Sequence, residues 1–318
     1  MKQVVNYKKF DSQRRFGIEL EIGDTVTKTK IKSVIKSLSS RPALVTNYQP
    51  STENHYWHIK NDATCGPMGR SGPKGVEVAS YVGQGVDDLL HIAEVAEQLS
   101  LVGCKTNDNC GLHIHAEATD LTKIQVGTIL AHWMKLEKCL QYSLPIRRRD
   151  NPYCQQISSC FIIPKYLNSF HTPENFYCIF SPVDIGYYEN KDRRVTLNLV
   201  NYVRACYYQS NVRKTLELRW PEGTLNSRDI KCWTRLFLNF IDSCKDRPFP
   251  PDFSESGLDE TLIYLGLGHE NKAFTIFSED FHETKTWLLE RFIEHSPKFK
   301  KEAKKILNLM WLPVKKYT

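Results

Sequence analysis

Between Phe16 and Gly23 apolar and polar positions alternate, with Phe16, Ile18, Leu20 and Ile22 on one side and Gly17, Glu19, Glu21 and Gly23 on the other. A period of two is that of a β-strand. This stretch is therefore predicted to be a strand with an apolar back and two carboxylates on its front. Three further stretches repeat the arrangement. Gly75–Ser80 sets Glu77 between Val76 and Val78. Gly111–Ala118 alternates Gly111, His113, His115 and Glu117 with Leu112, Ile114 and Ala116. Lys214–Trp220 alternates Thr215, Glu217 and Arg219 with Leu216, Leu218 and Trp220. A weaker example is Tyr56–Asn61, where Tyr56, His58, Lys60 and the following Asp62 share a side.

Helical periodicity appears over Lys28–Leu38, where Ile31, Val34, Ile35 and Leu38 fall on one face, and over Val86–Val102 and Ile230–Cys244. A long helix is predicted over Leu121–Leu144, capped by Thr119 or Asp120 and ended before Pro145. Val195–Tyr202 reads as extended, with a helix as the alternative. Strands and helices alternate irregularly, which predicts an α+β fold with one sheet, helices on its apolar side and a charged, concave site on the other. Arg247–Pro251 is the clearest linker, and it divides a body, residues 1–245, from a C-terminal helical extension, residues 246–318. Trp287, Leu288, Phe292, Leu307 and Met310 are expected to pack on the body or on a partner subunit, and the lysines at 300, 301, 304 and 305 to form a solvated helix face.

The composition, 41% hydrophobic and 25% charged over 318 residues, is that of a globular protein able to bury a large core. No apolar run approaches the ~20 residues that a membrane span needs. Met1–Arg15 lacks the apolar stretch of a secretory signal. The ten cysteines contain no Cys-x-x-Cys pair, and Cys104 and Cys110 stand six positions apart. Reduced thiols in the cytoplasm are the expectation. The net charge of +7 suits an anionic ligand and falls short of implying nucleic acid.

Carboxylates crowded on one sheet face repel each other unless a cation lies among them. A donor set rich in oxygen with few nitrogens suits Mg²⁺ or Mn²⁺ better than zinc. Cations among carboxylates in turn call for an anionic partner such as phosphate. Arg147–Arg149, Arg193, Arg194, Arg213 and Arg219 could hold its oxygens. No Gly-rich phosphate loop of either common type occurs.

Phe16-Gly17-Ile18-Glu19-Leu20-Glu21, Asp62 followed by Gly75-Val76-Glu77-Val78, Cys110-Gly111-Leu112-His113-Ile114-His115 and Thr215-Leu216-Glu217-Leu218-Arg219, in that order, resemble the amidoligase family of carboxylate–amine ligases. Pro145–Arg149 with Tyr153-Cys154 resembles the family's segment after the long helix, and Arg194 with Asn198 its arginine-containing strand. The resemblance covers roughly Phe16 to Asn226. It implies a glutamine synthetase-like antiparallel sheet whose concave face binds ATP and two or three Mg²⁺ or Mn²⁺ ions. By motif, Glu19, Glu21, Asp62, Glu77, His113 and Glu217 would be metal ligands. His115, Arg194, Asn198 and Arg219 would contact the nucleotide, and Arg148 and Arg149 would hold phosphate or the substrate carboxylate. Glu217 and Arg219 would lie at the reacting centre. The spacing alone leaves open which of His113 and His115 takes the metal.

The reaction so implied joins a small-molecule or peptide carboxylate to an amine through an acyl phosphate. Two alternatives stand beside it: a metallohydrolase using His113-x-His115, and a binding protein that keeps the fold without catalysis. Cys154 is read as a packed thiol rather than a nucleophile. The loops Gln84–Asp87, Tyr153–Lys165 and Tyr187–Asp192 carry no readable substrate code, and the sequence leaves the oligomeric state open.

Overall fold

The computed structural model describes residues 13–23, 27–46, 55–66, 75–159, 192–207, 212–268 and 279–310. Residues 160–165 and 187–191 of the loops named above lie outside them.

Among the described residues, seven strands form one open sheet in the order β2-β3-β4-β1-β5-β7-β6. They are β1 (Phe16–Ile22), β2 (Ala43–Val45), β3 (Trp57–Asp62), β4 (Gly75–Ala79), β5 (Leu112–Glu117), β6 (Leu197–Asn198) and β7 (Thr215–Leu218). Every pairing is antiparallel except β2 with β3. With the helices this makes the fold α+β, as the sequence predicts. The three residues of β2 were not foreseen, since they are too few to show an alternation.

The apolar sides of the strands converge as their period requires. Ile18, Leu20, Ile22, Val78, Leu112, Ile114, Leu216 and Leu218 are all buried in one core. Helices α1 (Lys28–Leu38), α2 (Gly85–Leu101) and α3 (Lys123–Leu140) and the Ser227–Cys244 helix contribute Ile35, Leu89, Trp133 and Phe237 to the same core. Trp133 meets Trp220 edge-on, with ring centroids 5.7 Å apart, which anchors α3 beside the end of β7.

Two boundaries differ from expectation. Helix α3 begins later, because Thr122 caps it in a reciprocal box with Gln125. Asp120 is instead paired with Arg14, at 2.6 Å. The stretch predicted as extended from Val195 splits into the two-residue β6 and a helix over Val200–Tyr207. The helices beyond Pro251 join the same core: Trp287, Leu288 and Phe292 are buried, and Leu307 and Met310 pack partly against it. Trp287 crosses Trp233 edge-on at 5.0 Å and donates to Asp229 at 2.9 Å. Lys301 and Lys305 are exposed.

Candidate active site

Antiparallel register sets the polar side chains of neighbouring strands in rows, because directly paired residues share a face. Glu19 is paired with His113, and Glu21 with Glu77. Lys60 is paired with Glu77, and Glu217 with both His115 and Asn198. The alternating polar positions of six strands thus meet on one side of the sheet.

At its centre, one donor atom each from Glu19, His113 and Glu217 lies within 4.8 Å of the others, a group that could hold one divalent cation. His113 Nδ1 stands 3.4 Å from Glu19 and 3.8 Å from Glu217, while Nε2 stands 3.4 Å from Glu21. His115 Nε2 is 3.2 Å from Glu19 and 3.9 Å from Glu217. Glu217, almost fully buried, accepts from Asn198 Nδ2 at 2.6 Å on one oxygen and from Arg219 at 2.5 Å on the other. Glu21 accepts the backbone N–H of Gly111 at 2.6 Å. A Cβ at position 111 would lie 2.7 Å from the Arg148 guanidinium and 2.8 Å from His113 Nε2, so the site requires glycine there.

Burial opposes charge on His115, Glu19, Glu217 and Glu77, and their neighbours decide the outcome. His115 resists charging through burial, yet the carboxylates of Glu19 and Glu217 raise it to about 9. Burial would raise Glu19, but His115 and His113 hold it well below the usual carboxylate range. Glu217 is likewise lowered, against burial, by Arg219 and the two histidines. Glu77 goes the other way. Burial and the charge of Glu19 push it up to about 7, although Lys60 pairs with it at 2.8 Å. Carboxylates that lean on histidines and a lysine for neutralisation make a donor set suited to a hard divalent cation.

The remaining expected residues are placed differently. Asp62 stands with Glu21 and Cys65 rather than with the central three. The guanidinium of Arg148 is buried and donates to the carbonyls of Trp220, Cys110 and Arg219, so it holds backbone at the edge of the site. Arg149 is not brought to the cluster. It donates to Leu144 and His295 carbonyls and lies over the Tyr142 ring, joining the end of α3 to the Glu279–His295 helix. Arg194 is exposed and lies over the ring of Tyr153. The Cys154 thiol is buried, and burial pushes it up, as suits a packed thiol.

Sequence reasoning gave no role to Glu137, a carboxylate on α3. It accepts from the N–H groups of Ile157 and Ser158 and from Thr196, and so ties the segment before β6 to the core. Its signal is only that it is the one acidic residue of α3. Lys60 shares the period-two register of Asp62 and was legible only as part of that weak pattern.

A family model described as "Putative amidoligase enzyme" matches residues 12–241. The match spans most of the chain and every residue of the polar face, and the chain belongs to that family. No curated protein matches it.

Proposed function

We propose that this amidoligase-family chain is an ATP-dependent carboxylate–amine ligase on a glutamine synthetase-like fold, its polar sheet face concave around the substrates. The observation that carries the reading is the convergence of Glu19, His113 and Glu217 from three strands, with Glu21 and Glu77 beside them. Such a face repels anions unless cations intervene, so ATP and a carboxylate substrate would enter with Mg²⁺ or Mn²⁺. Glu19, Glu21, Glu77, His113 and Glu217 would hold two or three ions, with Asp62 at the margin. Bound there, the ions would neutralise the phosphate oxygens and those of the transferring group.

The chain's own side chains orient and stabilise. Asn198 fixes the rotamer of Glu217. Arg219 Nε is buried without a hydrogen-bond partner, a donor free to meet the transferred phosphoryl group. His115 stands beside Glu19 and Glu217 on the same face, within reach of the nucleotide phosphates. A substrate carboxylate oxygen attacks the γ-phosphorus of ATP, ADP leaves, and the amine then displaces phosphate from the acyl phosphate to form the amide. The protein's task is placement and the exclusion of water. Small molecules or peptides would supply the acid and amine. Among the described residues no helix is long and apolar enough to cross a membrane.

A histidine-rich hydrolase centre is less well supported, because His91 and His132 bond to the carbonyls of Leu38 and Pro248, away from the face. The test is incubation with ATP, Mg²⁺, hydroxylamine and a panel of amino and dicarboxylic acids. Hydroxamate, ADP and phosphate in equal amounts are expected. AMP and pyrophosphate would mean an adenylating enzyme, and an absence of nucleotide turnover would favour a binding protein.

A further inference from the structure

At the Glu21 end of the polar face two thiols meet two carboxylates. Asp62 ends β3, Cys65 follows in the next turn, and Cys110 immediately precedes Gly111 and β5. Donor atoms of Glu21, Asp62 and Cys65 all lie within 4.8 Å of one another, and the Asn107 side chain joins Cys110 to them, accepting from Cys110 Sγ at 3.3 Å while donating to the Cys65 carbonyl. The sequence makes Cys104 the nearest partner of Cys110, but the fold supplies Cys65 instead.

The surroundings hold these groups in place. Asn107 gives its backbone N–H to Cys110 Sγ at 3.4 Å and its Nδ2 to the Cys65 carbonyl at 2.9 Å. Thr64 donates to Asp62 Oδ1 from both N, at 2.7 Å, and Oγ1, at 2.6 Å. A Cβ on Gly75 would lie 2.4 Å from that of Cys65, and one on Gly223 would lie 2.4 Å from that of Cys110, so both cysteines rest against backbone that only glycine allows. Both thiols are buried, and neither forms a disulfide.

We propose that Glu21, Asp62, Cys65 and Cys110 form a thiolate–carboxylate site for a thiophilic divalent cation, zinc foremost. Two sulfurs and two carboxylates are a four-donor set that suits tetrahedral Zn²⁺, whereas Mg²⁺ avoids sulfur. On binding, the two thiols release their protons to solvent and the sulfurs take up the ion as thiolates. The ion would pin the turn after β3 to the turn before β5, and through Gly111 it would steady the N–H that holds Glu21. This site goes beyond the ligase reading, with which it shares Glu21 and Asp62 as bridging carboxylates, and requires neither ATP nor turnover.

The experiment is a titration of the reduced, metal-stripped full chain with Co²⁺, read by absorption. A sulfur-to-cobalt charge-transfer band should grow to saturation at stoichiometric cobalt, collapse on adding Zn²⁺ and persist in excess Mg²⁺. Cys65→Ser and Cys110→Ser should each lose most of the band, and Cys206→Ser should keep it, with circular dichroism reporting that each is folded. Asp62→Asn, at a half-exposed position, should keep the band and raise the half-saturating cobalt concentration at least about tenfold. No band in the folded wild-type chain, or an undiminished band in both serine variants, would overturn the proposal. Should the serine variants not fold, an unchanged half-saturation in Asp62→Asn would overturn it.

Discussion

Asn198 and Glu217 are direct partners across the β6–β7 pair, and Asn198 Nδ2 donates to a Glu217 carboxylate oxygen at 2.6 Å. The other oxygen of Glu217 faces Arg219, His113 and His115. One amide thus fixes which oxygen is offered to the site. Asn198→Ala should leave the chain folded and weaken Mn²⁺ binding about ten- to a hundredfold, the usual effect of losing a residue that orients a ligand. A fluorescence or calorimetric Mn²⁺ titration checks this, and an unchanged affinity would place Glu217 outside the metal set.

Arg219 should matter to the reaction more than to nucleotide affinity. Its charge lies beside Glu217 on the same strand face, where in the proposed reaction a preorganised donor would act on the transferring group. Arg219→Met is expected to lower kcat on the order of a hundredfold. The Kd for a non-hydrolysable ATP analogue should move only a few-fold. A loss confined to analogue binding would make Arg219 a binding residue instead.

Arg148 and Arg149, adjacent in sequence, should behave differently. Arg148→Met leaves the carbonyls of Trp220, Cys110 and Arg219 without their buried donor, at a cost of about 3 kcal/mol or more. Urea unfolding measures this. Arg149→Ala should leave Mn²⁺ binding unchanged, since its guanidinium is directed to Leu144 and His295. Weakened Mn²⁺ binding in Arg149→Ala, or an unfolding midpoint of Arg148→Met equal to that of the wild type, would contradict the placement.

The alternation in β1, β4, β5 and β7 made both the sheet and its polar face legible, because a strand's period fixes sidedness from local sequence alone. What stayed hidden depends on pairing. The proximity of Cys65 to Cys110 follows from the order β3-β4-β1-β5, which no spacing along the chain encodes. Arg148 and Arg149 have the same composition-level signal, and only the one-turn helix Ile146–Arg149 turns one inward and the other toward the Glu279–His295 helix. Helix α3 was misplaced at its start because three of the four residues from Thr119 to Thr122 can cap or turn, and the reciprocal bond with Gln125 decides among them.

Stability should fall in mild acid through His132. Burial opposes its charge, and Arg247 and Lys135 add repulsion. The bond to the Pro248 carbonyl offsets this in part, so the group is lowered to about 4 from an ordinary 6.5. A histidine depressed in the fold favours the native state above its unfolded pKa. That contribution, up to about 3 kcal/mol, is lost as pH falls from 6.5 toward 4. Urea unfolding across this interval should show a shallower decline for His132→Gln than for the wild type, and parallel declines would refute the assignment.

The central claim is that Glu217 joins Glu19 and His113 in binding a divalent cation together with a nucleotide. Electron paramagnetic resonance of Mn²⁺ measures it directly, as the free-ion signal lost on adding protein with and without a non-hydrolysable ATP analogue. The wild-type chain should take up Mn²⁺, and the analogue should tighten that uptake. Glu217→Gln, folded by circular dichroism, should bind Mn²⁺ at least about a hundredfold more weakly, beyond the effect of losing an orienting residue. Equal uptake by the variant and the wild type, with the analogue present, would contradict the account.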